Sequence, residues 1–153
     1  MKDNKVFEDI RSKATEWDAI RMEHKKQEEA IIEAHGYCSD ELQAWKKATT
    51  LPPFPITDGA MKAFRAWEAN RENETCEFEF SDFTWERETH DFIETLRKAG
   101  IETMIITNAS TALLENLHAY AAEGCTLEGL CTVKKKTIWG TDEGIPGIRL
   151  RIN

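Results

Sequence analysis

Several absences narrow this chain before any residue is singled out. Its four cysteines, Cys38, Cys76, Cys125 and Cys131, show no CxxC spacing, so reduced thiols in a cytoplasm are the expectation. The opening "MKDNKVFEDIRSK" lacks the apolar core of a signal peptide. No apolar run approaches the roughly 18 residues of a membrane span. Internal repeats, low-complexity tracts and Gly-rich phosphate loops are missing too, and no Ser-His-Asp or Cys-His signature stands out.

What is present suits a folded domain. The 153 residues are 41% hydrophobic and include five tryptophans, enough for a sizeable core. The formal net charge of −8 weighs against nucleic acid as a partner, because phosphate binding needs Lys and Arg. From Glu68 to Glu94 ten acidic residues face two basic ones, Arg71 and Arg87, so this segment alone carries −8. It reads as a solvated face, or as an acidic surface for a basic partner.

The chain changes character near Thr75. Residues 3–34 have helical spacing through Val6, Ile10, Ala14, Trp17 and Ile20, with a bend expected in the polar "RMEHKKQEEA" and a stop at Gly36. Ser39 caps a short helix, "LPPFP" excludes helix, and Thr57 caps a third helix with Met61, Phe64 and Trp67 on one face. After Thr75, Cys76, Phe78 and Phe80 alternate like a strand, and Ser81 or Asp82 caps a helix striped by Trp85, Thr89, Phe92, Ile93 and Leu96. "IETMIIT" is a buried strand, and a helix carrying Leu113, Leu114 and Leu117 follows. Strands Leu127–Ile138 and "GIRLRIN" then flank a "WGTDEG" turn. The expectation is an α/β fold: a four-stranded mixed sheet, β-α-β-α-β-β, preceded by an N-terminal helical layer. Residues 1–74 form that layer and 75–153 the core of one structural domain. The first three strands are expected parallel, with the last antiparallel to the third.

Two places carry candidate chemistry. If Val133 faces the core with Leu150, Lys134 and Lys136 share the opposite face with Arg149 and Arg151, a basic patch with Trp139 at the turn as an aromatic anchor. The plainer reading is charge that protects a sheet edge. The second place is the strand ends, where Asp82, Thr107, Asn108 and Ser110 could hold an anion, the last two beside a helix N-terminus; an ordinary N-cap is the plainer reading. His35 and Cys38 form one HxxC pair without a second at zinc spacing. No metal, cofactor or catalytic residue is assigned.

The segment "LRKAGIETMIITN" resembles the second motif of haloacid-dehalogenase-type phosphotransferases, in which a Thr or Ser closing a strand contacts the phosphoryl group. Thr107 matches that residue, and Asp82 in "FEFSDFTW" would stand for the nucleophile, with Thr84 two residues on. The sequence departs from the pattern in lacking D-x-D-G-T, a glycine after Asp82 and late paired carboxylates. The run "AGIETMIITNASTALLENLHAYAAEGCTLEGLCTV", with "WG" and "IPGIRLRIN", is similar to a family of small uncharacterised proteins of gut Firmicutes associated with mobile elements. That resemblance spans Phe83–Asn153 and implies a bacterial cytoplasm and an accessory role, with no functional residue to carry over. The expected function is therefore non-catalytic binding of another macromolecule, a protein, with exposed helix faces leaving a homodimer open. The alternative is a small-molecule or phosphate-compound binding enzyme at the strand ends.

Overall fold

The computed structural model describes residues 3–136, 139–140 and 142–153, and the side chains of all these except Lys135, Lys136 and Asp142. Helices α1 (Lys5–His35), α2 (Asp40–Ala48) and α3 (Asp58–Glu72) precede β1 (Phe78–Phe80), α4 (Glu86–Lys98), β2 (Thr103–Ile106), α5 (Leu113–Ala122), β3 (Thr126–Lys136) and β4 (Asp142–Arg151). The α/β class, the order β-α-β-α-β-β and the four-stranded mixed sheet match the expectation from sequence. No described helix is long and apolar enough to cross a membrane.

Two compact units divide the chain: the residues up to Ile10 with Thr57–Asn153, and Arg11–Ile56. In the second unit α1 runs unbroken through the polar middle where a bend or break was expected. Its polar middle consists of good helix formers, tied by Asp18 to Arg21 at 2.8 Å and by Gln27 to Glu23 at 3.3 Å. Gly36, at φ +87°, ends the helix as a left-handed stop. Ser39 accepts the Leu42 N–H and caps α2. Trp17 Nε1 donates to the Pro52 carbonyl at 2.8 Å, and the Trp17 ring meets Phe54 edge-on. These contacts hold the non-helical "LPPFP" stretch against α1.

The first unit contains the sheet. Its core joins Phe7 of α1, stacked on Trp67 at 5.0 Å, to Phe80, Phe92, Leu96, Met104 and Tyr120. Helix α3 packs on α4 and β1. At Gly59 a Cβ would lie 2.3 Å from the Glu88 carbonyl oxygen, so only glycine lets the two helices come this close. Asn70 anchors β1: its Nδ2 donates to the Glu79 carbonyl and its Oδ1 accepts the Glu79 N–H, at 2.7 and 2.8 Å.

Sheet order is β1-β2-β4-β3. Strands β1 and β2 are parallel, and β4 runs antiparallel to both β2 and β3. Strand β3 therefore has the direction of β2, as expected, but β4 lies between them. Several local expectations change. Strand β1 begins at Phe78 and leaves Cys76 exposed before it. Strand β4 starts at Asp142, so much of the expected turn is strand; Thr137, Ile138 and Thr141 lie outside the described residues. Helix α4 begins after Trp85, not at Ser81 or Asp82; the backbone of Thr84, ahead of it, is bonded to the Asn116 side chain.

Candidate functional site

The hairpin reading changes most. A bulge between Leu127 and Gly129 shifts the β3–β4 register and flips the alternation beyond it. Val133 consequently pairs with Ile145, at positions of the same parity as Arg149 and Arg151, while Lys134 pairs with Gly144 in the other set. Lys134 therefore does not share a face with Arg149 and Arg151, as it was expected to. Arg149 donates to Glu77 at 2.9 Å and Arg151 to Glu128 at 2.7 Å, so both arginines already neutralise local carboxylates. The Lys136 side chain lies outside the described residues.

The register also shows how far the hairpin reaches. Strand β2 pairs with β4 only from Ile148 to Arg151, whereas β3 follows β4 to Asp142. The distal half of the hairpin is thus a two-stranded ribbon among the described residues. Leu127 is 61%, Leu130 87% and Trp139 85% exposed.

At the strand ends, Thr107 and Asp82 follow neighbouring parallel strands but turn to different partners. Thr107 donates to a Glu79 carboxylate oxygen at 3.0 Å, while Asp82 accepts the Phe83 N–H at 2.8 Å. Asn108 Oδ1 accepts the Ser110 N–H, and Ser110 Oγ accepts the Ala112 N–H. These bonds shape a turn ahead of α5, which starts at Leu113 with Ala112 as its cap. Asn108 and Ser110 therefore precede the helix rather than cap it. Asn108 Nδ2 is buried without a hydrogen-bond partner among the described residues.

A polar network lies beneath this turn and went unnoticed in the sequence. Asn116 Oδ1 accepts the Thr84 N–H at 2.9 Å, and its Nδ2 donates to the Thr84 carbonyl at 3.0 Å. The Thr84 hydroxyl lies 3.0 Å from both the Thr89 hydroxyl and the Tyr120 hydroxyl. Burial pushes the Tyr120 hydroxyl pKa well up, so it stays protonated and available as a donor. Nearby, Lys62 Nζ donates to Glu88 at 2.9 Å and to the Phe83 carbonyl at 2.7 Å. Burial alone would raise the Glu88 carboxyl pKa, but the Lys62 hydrogen bond, the Trp85 N–H and the Lys62 charge outweigh it and hold the pKa below its ordinary value. The only sequence signal for this network is polar residues on helical faces that should be apolar.

Clefts also open on the surface. One of about 420 Å³ in the Arg11–Ile56 unit is lined by Ile20, His24, Leu51 and Pro52. Another of about 370 Å³ is lined by Glu74, Glu77, Glu79, Ile105, Val133 and Lys134. Among the described residues no three His, Cys, Asp or Glu side chains gather to hold a metal.

Comparison with known proteins gives a family and says nothing of an activity. No curated protein and no solved structure matches the chain. The model of a domain of unknown function, DUF7698, matches residues 62–152, from the lysine that pairs with Glu88 to the end of the sheet. The chain belongs to that family.

Proposed function

We propose that the protein is a non-catalytic binding module whose β3–β4 hairpin docks on another protein. The observation that carries this reading is the exposure of Leu130, on the edge strand level with the end of β2, and of Trp139, at the tip of the ribbon that extends past it. Large apolar and aromatic side chains left in the open are typical of interaction sites. The arginines of the expected basic patch hold Glu77 and Glu128 instead, so the docking role falls to the edge and tip. The setting that fits is a bacterial cytoplasm, given cysteines without a pairing pattern and the resemblance to small proteins of mobile elements.

The test is a capture experiment with folded variants. Leu130→Asp with Trp139→Ala is expected to lose a protein that wild type retains. Equal retention by both, with matching circular dichroism, would remove the hairpin from consideration.

A second reading has one observation in its favour, the buried Asn108 Nδ2 that lacks a partner. It makes the strand ends near Asp82 and Thr107 a site for phosphate compounds in a small-molecule enzyme. That reading expects a rise in melting temperature with such compounds and Mg²⁺, lost in Asp82→Asn. The absence of any rise would exclude it.

A further inference from the structure

We infer that the outer edge of β3, from Leu130 to Lys136, takes up an extended acidic peptide segment as a fifth, antiparallel strand. The inference rests on the protein-binding reading above and gives the chemistry of its partner.

The two edges of the sheet are treated differently. At β1, three residues long, the amide of Asn70 bonds both the N–H and the C=O of Glu79. A side chain thus occupies the place a further strand would take, which is one way of closing an edge. Strand β3 is eleven residues long and, among the described residues, pairs on one side only. Its bulge sits near the start, between Leu127 and Gly129, and from Gly129 to Lys136 the ladder with β4 is unbroken. A regular stretch of backbone is therefore available beyond the bulge. Main-chain bonds along such a stretch give affinity, and alternate side chains give selectivity.

Charge selects the occupant. Lys134, Lys135 and Lys136 stand consecutively on the edge strand, while the acids opposite two of them, Glu143 and Asp142, lie one strand inward on β4. Edge lysines disfavour a neutral or basic strand. Acidic residues set across from them gain cross-strand pairs instead. Leu130 and Thr132 share the parity of Lys134 in the register and are exposed, so they suit β-branched side chains in the incoming strand. Antiparallel pairing is the more stable arrangement, which puts the acidic residues of the partner N-terminal to its apolar ones.

The probe is a fluorescent peptide of three aspartates followed by alternating valine and threonine, titrated into the full chain by anisotropy. It is expected to bind about ten-fold or more tightly than the same peptide with three lysines. Replacing Lys134, Lys135 and Lys136 together with glutamate should reverse that preference, and the reversal itself shows that the variant is folded. Methylating alternate peptide nitrogens should abolish binding in one of the two registers and spare it in the other. Equal affinity for the acidic and basic peptides overturns the proposal, as does indifference to methylation in both registers. Sedimentation showing a dimer of the protein alone, dissolved by the triple glutamate variant, overturns it as well, since a second copy would then hold the edge. If the peptide fails while the Leu130→Asp, Trp139→Ala variant still loses its partner, strand addition falls and hairpin docking stands; if both fail, both fall.

Discussion

Replacing Asn116 with alanine removes both hydrogen-bond partners of the Thr84 backbone at once, since one amide accepts its N–H and donates to its carbonyl. Thr84 is 3% exposed, so water cannot step in without opening the core. The expected loss is about 2–4 kcal/mol, as each buried orphan costs about 1–3 kcal/mol. Tyr120→Phe removes only a shared hydroxyl and should cost about 1 kcal/mol. Urea denaturation of both variants checks the order; equal and small losses would mean that the network is relaxed or hydrated. Glu88 gives a prediction in pH. Its folded pKa is lowered, so its contribution is fully present above the unfolded value near 4.5 and disappears as pH falls through the folded value. Glu88→Gln should therefore flatten the acid limb of the stability profile below about pH 4.5, measured by urea titration at several pH values. An unchanged slope would show that Lys62 does not discriminate between the two protonation states. At this scale the sequence revealed which residues could do chemistry but not how they are used. Asp82 and Thr107 stand at strand ends as expected, yet Thr107 serves Glu79 and Asp82 a neighbouring N–H. A partner nearly thirty residues away, as Glu79 is from Thr107, leaves no local pattern to read.

Between elements, the closest approach is that of α3 to α4. Alanine at position 59 would set its Cβ 2.3 Å from the Glu88 oxygen and 2.8 Å from the Phe92 nitrogen, and neither backbone atom can turn aside. Position 59 is in the first turn of α3, where the helix preference of alanine counts for little. Gly59→Ala should therefore destabilise by about 1–3 kcal/mol, readable as a lower urea midpoint with unchanged slope. A neutral or stabilising result would show that the helices can separate freely. Elements of this kind were legible where periodicity was strong. Phe92, Ile93 and Leu96 of α4 are buried as their spacing implies, as are Met104, Ile105 and Ile106 of β2. What failed was register. One extra residue at the β3 bulge reverses the inward and outward sets beyond it, and no alternation count shows where a strand will bulge. The insertion of β4 between β2 and β3 was hidden for a similar reason: strand neighbours are chosen by contacts distant in sequence. Trp85, read as the start of a buried stripe, is 55% exposed because α4 begins one residue after it.

At the scale of the molecule, the family boundary and the folding unit do not coincide. The family match starts at residue 62, but the unit around the sheet also takes in the chain up to Ile10. Phe7 is fully buried against Trp67, and Asn4 Nδ2 donates to the Ala99 carbonyl at 2.7 Å. A fragment of residues 57–153 would keep every strand and lose the ring that covers Trp67. Truncating a buried phenylalanine costs about 3–5 kcal/mol, and in a unit near 100 residues each kcal/mol shifts the melting temperature by about 4–8 °C. The fragment should therefore melt more than about 10 °C below the full chain, with Trp67 fluorescence shifted to the red. A peptide of residues 1–12 added in trans should restore part of that loss, because binding to the folded form alone raises stability. Identical melting of fragment and full chain would mean that the sheet and its helices suffice, and that α1 contributes its first turns to a core already complete. The expected result places the first turns of α1 inside the domain that its family match leaves them out of, and makes residue 62 a limit of sequence similarity rather than of the fold.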